Sequence, residues 1–202
     1  MQRTTRWFFL RRGRTMNQPI DITDVRLMTK HLLLRPFRES DLQDFNAYAN
    51  VDGVGQSAGW KPHTSIEESE KILHTFIEEG KTFAIVKDGK VIGSLGIERY
   101  DEMELREFMY QYGREIGFVL SKDYWGLGLM KEAIDAVLKY LFEVQDLDFV
   151  VCGHFKSNER SRKLQLKCGF QPYKEVLLNM PVADNIPSMM NIMYKEDWEK
   201  NH

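Results

Sequence analysis

Gly126-Leu127-Gly128, in the stretch YWGLGLMKEA, is the pattern in this chain with the plainest chemical meaning. Two glycines one residue apart let the backbone turn so that several N–H groups converge. The helical pattern that follows adds its positive end, and the combination suits a pyrophosphate held without metal or lysine. Two longer phosphate motifs are excluded. A G-x-G-x-x-G dinucleotide site wants a third glycine where Lys131 stands, for close approach of helix and strand. A P-loop wants Ser or Thr after its lysine and an earlier glycine at fixed spacing; Glu132 follows Lys131 and that glycine is missing. Taken alone, the pair fits either an anion cradle or a plain strand-to-helix turn that needs glycine for its geometry.

The elements around this turn follow from periodicity. REIGFVL, Arg114 to Leu120, reads as the strand before it. After it, Met130, Ala133, Ile134, Val137, Leu138 and Leu141 recur at helical spacing on one face. Upstream, HLLLRPF (His31 to Phe37) is a strand stopped by Pro36. Ser40 with Gln43, and Ser65 with Glu68, open two helices as capping boxes, and Gly80 closes the second. Asp88-Gly89 marks the hairpin turn in TFAIVKDGKVIGSLGI. Downstream come a strand at DFVVCGHF, a helix over about 158–168, and final strands near FQPYKEV and SMMNIMYK. ERYDEMELREFMYQYGRE, between two strands, reads as a solvated loop. Helices interleave with strands, so the fold class is α/β or α+β around a mixed sheet.

At 202 residues, 43% hydrophobic and 29% charged, one globular domain is expected over residues 21–202. A net charge of −2 argues against nucleic acid or an anionic membrane as partner. Residues 1–20 read as a basic, disordered extension. Trp7 to Leu10 is too short for a secretory core, Arg11-Arg12 lack the apolar stretch a twin-arginine signal needs, and Met16 is an alternative start. Cys152 and Cys168 are too few for a disulfide framework or a cysteine zinc site, which points to reduced thiols in the cytoplasm. No run approaches a membrane span.

REIGFVLSKDYWGLGLMKEAIDAVLKYLF resembles the acetyl-CoA-binding motif of the GCN5-related N-acetyltransferases. Its phrase E-I-G-F-x-L…Y-W-G-x-G-x-x-x-E-A is typical of the branch that acetylates ribosomal-protein N-termini. NERSRKLQLKCGF is similar to that branch's N-x-x-S…K-x-G-F block. LLLRPFRESDLQDF and MYKEDWEK resemble its first and last elements, so the likeness runs from about Leu32 to Trp198. Asp123 departs from the family's usual Gln or Arg. The resemblance implies a mixed, mostly antiparallel sheet of six to seven strands, about four helices, and a splayed central parallel pair. It implies acetyl-CoA as donor, with Phe118, Val119 and Leu120 presenting backbone to the pantetheine arm. The amides of Trp125, Gly126, Leu127, Gly128, Leu129 and Met130 would hold the pyrophosphate, and Asn158, also a candidate helix cap, would bond the pantetheine.

Transfer to an amine needs a proton acceptor, a polarised carbonyl and a thiolate able to leave. A backbone N–H near Val119 is the expected oxyanion donor. Many of these enzymes place a tyrosine where Gln165 stands; Ser161, matching the serine of N-x-x-S, is the remaining hydroxyl for the thiol. Glu115, Glu98 and His154 are candidate bases, beside a water chain with no single base, and Trp60 is a candidate aromatic wall for the acceptor. Neither cysteine is placed as a nucleophile, and no metal is expected. The expected activity is direct transfer to a primary amine, on a protein N-terminus or a small molecule, by a monomer or homodimer. A non-catalytic acyl-CoA-binding module is the alternative, with acceptor identity open.

Overall fold

The computed structural model describes residues 16–200. Eight strands form one sheet: β1 Leu27–Met28, β2 Leu33–Pro36, β3 Thr82–Lys87, β4 Lys90–Glu98, β5 Gly113–Leu120, β6 Phe149–Phe155, β7 Gln171–Met180 and β8 Ala183–Tyr194. Their order is β1-β2-β3-β4-β5-β6-β8-β7, antiparallel throughout except for β5 and β6. Five α-helices accompany them: α1 Leu42–Ala49, α2 Ile66–Glu79, α3 Leu129–Lys139, α4 Glu159–Lys167 and α5 Lys195–Glu199. The count exceeds the expected six to seven strands and four helices through β1, only two residues long, and α5, only five. Neither spans enough residues for a period to show.

Each face of the sheet is covered by the apolar stripe of its helices. Met130, Ala133, Ile134, Val137 and Leu138 of α3 pack with Ile92, Leu95, Ile97, Ile116 and Leu120, a cluster that reaches Cys168 and Phe170 after α4. On the other side, Phe45 and Tyr48 of α1 and Leu73 of α2 cover Ala84, Val86 and Val91. Gly80 ends α2 at φ +56°, and Asp88-Gly89 turns the hairpin at φ +50° and +80°. Ser65 caps α2, its oxygen accepting from Glu68 N (3.2 Å). The expected Ser40 cap is not used. A 3-10 turn, Glu39–Asp41, precedes α1, and Asp41 accepts from Arg38 N (2.8 Å) and from both ends of the Arg35 guanidinium (2.7 and 2.8 Å).

Two segments differ from expectation. The charged stretch after β4 is not merely solvated: Tyr100, Leu105 and Phe108 pack on Phe149, Val151, Met190 and Ile192, with Phe108 and Phe149 ring centroids 4.4 Å apart. These three buried side chains follow no regular period, so charge dominated the pattern. The expected extension also ends earlier than residue 20. Asn17 and Ile20 are buried, and Asn17 Nδ2 donates to Tyr100 O and Glu102 Oε1, each at 2.9 Å. The wholly buried Arg114 donates to the carbonyls of Met16, Gln18 and Gly113. Residues 1–15, the remainder of that expected extension, lie outside the described residues.

Candidate active site

β5 and β6 pair only from Gly113↔Phe149 to Glu115↔Val151. Beyond that point β5 continues with β4 as far as Leu120, and β6 continues with β8 as far as Phe155. The facing edges of the two strands therefore lose their partners, and unpaired backbone groups need another one. A cavity of about 630 Å³ occupies the gap. Phe118, Val119, Leu120, Trp125, Gly126, Gly128, Leu129, Met130, Asn158, Ser161, Glu115 and His154 all line it. Leu127 does not: the residue is 63% exposed.

The glycine turn has the geometry of a cradle. Gly126 and Gly128 sit at φ +78° and +79°, where L-residues are strained, and a Cβ at either would meet nothing within 4 Å. The first bond into α3 runs from Glu132 N to Gly128 O (3.1 Å), so the amides just before it have no helical acceptor. One correction follows. The Trp125 amide donates to Lys122 O (3.1 Å), so the free amides begin at Gly126. The Trp125 side chain acts elsewhere: its indole N–H donates to Leu120 O (2.8 Å), and the Arg160 guanidinium stacks 3.5 Å over its ring. Arg160, Lys163 and Lys167 form an i, i+3, i+7 stripe on α4 that faces the same cavity, with Lys131 opposite on α3. Composition, near neutral overall, did not reveal this local cationic wall.

Asn158 is the N-cap of α4, its oxygen accepting from Ser161 N (3.1 Å) while its amide donates to Ser57 O (3.1 Å). That second bond ties the loop before α2 to the cavity, where Ser57 and Ala58 form part of the wall. Ser161 is half-buried, and its hydroxyl accepts from Gln165 Nε2 (3.0 Å). Leu178 and Met180, from the tip of the β7–β8 hairpin, close another side. None of these four wall residues was singled out from sequence, because the hairpin and loop reach the cavity only through tertiary packing.

The candidate bases separate by face. Side chains alternate along a strand, so Glu115 shares its face with Val151 and Gly153. His154 lies on the opposite face with Cys152. A Cβ on Gly153 would stand 3.7 Å from Glu115 Oε1, so the carboxylate reaches across the opening. Burial, then the charges of Glu98 and Asp101, push the Glu115 carboxyl up to about 7. Glu98 is Glu115's pairing neighbour on β4, but it binds Lys81 (2.7 Å) and does not line the cavity. His154 Nδ1 lies 3.0 Å from Phe155 O and so donates to it, while its Nε2 is buried without a partner. Trp60, the expected aromatic wall, instead packs beside Gly55 and His63 in the core under α1 and α2. Burial raises the Cys152 thiol well above its ordinary range and the Cys168 thiol to about 12. Neither is a thiolate. Among the described residues, no three His, Cys, Asp or Glu side chains are grouped to hold a metal.

The chain matches the family model of the acetyltransferase (GNAT) domain over residues 31–171. It is 30% identical over 166 residues to an uncharacterized N-acetyltransferase, YoaA, of Bacillus subtilis, covering 79% of this chain and 89% of the relative. Solved structures share its fold, two of them with a stated acceptor. One is the ribosomal-protein-S5-alanine acetyltransferase of Vibrio fischeri, with TM-score 0.66, 21% identity, and 87% and 99% of the two chains covered. The other is a spermidine N-acetyltransferase of Vibrio cholerae solved with CoA and spermine, with TM-score 0.69, 16% identity, and 85% and 99% covered. With a diverging parallel pair, a cradle of free amides and a family match over most of the fold, the chain belongs to the GNAT family of acetyl-CoA-dependent N-acetyltransferases.

Proposed function

We propose that this protein transfers acetyl from acetyl-CoA directly to the primary amine of a protein or peptide N-terminus, within a single catalytic domain. The observation that carries this is the opening between β5 and β6. It connects the cradle at the start of α3, on one face, with the Glu115 carboxylate on the other. The residues present fit the donor: free amides from Gly126 onward for the pyrophosphate, Arg160, Lys163 and Lys167 for phosphate charge, and the open edge of Phe118 to Leu120 for the pantetheine arm. Asn158 retains hydrogen-bonding capacity toward that arm after capping α4.

Acetyl-CoA supplies an acyl carbon already activated as a thioester. Glu115 takes a proton from the acceptor ammonium, and the amine then attacks that carbon. An N–H on the open edge of β5, that of Phe118 or Leu120, stabilises charge on the carbonyl oxygen, where preorganised donors contribute most; the Val119 N–H faces Ser94 of β4 instead. The C–N bond forms, the C–S bond breaks with its electron pair on sulfur, and Ser161 donates a hydrogen bond to that sulfur. Of the two protons the ammonium loses, one goes to Glu115 and the other ends on sulfur.

The base favours one class of amine. A carboxyl near 7 lies about one pKa unit below an α-ammonium but more than three below a lysine-type ammonium. At about 1.4 kcal/mol per unit, an N-terminal amine is the easier acceptor. Buried free thiols suit a reducing cytoplasm. Thiol release from acetyl-CoA, followed with a free α-amino peptide, its N-blocked lysine counterpart and spermine, tests the reading. Turnover on the first, exceeding both others, is expected. Tight acetyl-CoA binding with no thiol release on any of the three would favour a non-catalytic binding module.

A further inference from the structure

Gln165 is wholly buried on α4, one turn after Ser161. Its amide is committed at both ends. The nitrogen donates to Ser161 Oγ and to Gly153 O, each at 3.0 Å, and the oxygen accepts from Asn191 Nδ2 at 2.7 Å. A backbone carbonyl can only accept, so Gly153 O requires the nitrogen on its side and Asn191 requires the oxygen on the other. The amide cannot turn over without losing both bonds.

This has a consequence at Ser161. A hydroxyl carries one hydrogen and two lone pairs. Gln165 fills a lone pair, so the Ser161 hydrogen is directed away from Gln165. Helical hydroxyls commonly donate instead to the carbonyl one turn back, as Thr75 does to Lys71 O (3.1 Å). Ser161 makes no such bond among the described residues; its hydroxyl acts only as the acceptor from Gln165, and the residue lines the cavity. Strand β6 supplies Gly153, strand β8 supplies Asn191, and α4 supplies both remaining members, so the network locks the serine to the sheet beside the opening.

We propose that Gln165 is a positioning residue that keeps the Ser161 hydroxyl pointed as a hydrogen donor at the sulfur of CoA. The proposal rests on the role given to Ser161 above. Gln165 stands where the family resemblance expects a tyrosine, so donation to sulfur is here divided between two side chains: a serine that touches it and a buried amide that orients the serine.

The test needs no acceptor amine. CoA is bound to the native protein and the ultraviolet thiolate band of its sulfur is titrated against pH. A donor held against the thiolate lowers the thiol's titration point. Gln165→Leu and Ser161→Ala should each raise it by about one unit, a tenfold change. Combining them should raise it no further, because both remove the same hydrogen bond. Should Gln165→Leu fold poorly, Asn191→Asp provides the same comparison: its carboxylate faces the Gln165 oxygen and removes what fixes the amide. A shift with Ser161→Ala but none with Gln165→Leu or Asn191→Asp would overturn the positioning role and leave the serine's role intact. Additive shifts would overturn it too. No shift from Ser161→Ala would overturn both roles together.

Discussion

Glu115 is the side chain on which the chemistry turns, and its environment sets a measurable signature. A base works only when deprotonated, so kcat/KM should rise with pH through about 7, the point to which burial and then the Glu98 and Asp101 charges push this carboxyl. Glu115→Gln should lower kcat about a hundredfold or more and flatten that limb. Stability should move the other way. The folded carboxyl titrates above its ordinary value of 4.5, so the folded state binds more protons and stability falls as pH rises between the two values. Glu115→Gln should therefore melt higher than native at about pH 8 and not at about pH 4. A limb unchanged in the variant would move the base elsewhere. At this scale the sequence pointed to Ser161, Asn158 and Glu115, which line one cavity, because each sits in a short contiguous motif. It missed the bond from Gln165 to Asn191, which joins residues 26 apart on different elements.

Among the elements, the turn into α3 was the most readable, since its glycines, its preceding strand and its apolar stripe are contiguous. Its prediction concerns binding. Gly128→Ala meets no neighbour, so its cost is conformational, about 1 kcal/mol at positive φ. A turn that relaxes to relieve that strain misaligns its amides, and the affinity for CoA should fall about tenfold with kcat changed less than twofold. Lys163→Ala with Lys167→Ala should weaken CoA binding in low salt and reduce its salt dependence, as loss of phosphate-facing charge requires. Calorimetric titration at two ionic strengths separates the cases: equal loss at both would remove the lysines from phosphate binding. The segment between β4 and β5 was unreadable for the opposite reason. Tyr100, Leu105 and Phe108 are separated by charged residues without a period, and only the surface of β6 and β8 makes them core.

Across the whole molecule, α/β alternation announced the fold class, but the divergence of β5 from β6 has no local marker. It arises where each strand follows its antiparallel neighbour instead of the other. The N-terminal boundary was hidden similarly, because Arg114 is 98 residues from Met16, whose carbonyl it holds. Deletion through Gln18 should lower the melting temperature by about 5 °C or more relative to deletion of residues 1–15 alone. The longer cut leaves the buried guanidinium short of acceptors, a loss of about 1–3 kcal/mol. Equal effects from both deletions would remove that clamp.

The most direct measurement is a crystal structure with CoA bound. The pyrophosphate should lie on the amides from Gly126 onward, and the sulfur should lie between β5 and β6 within hydrogen-bond reach of Ser161 Oγ. A pyrophosphate held elsewhere, or a sulfur outside that opening, would contradict the assignment of donor and cleft.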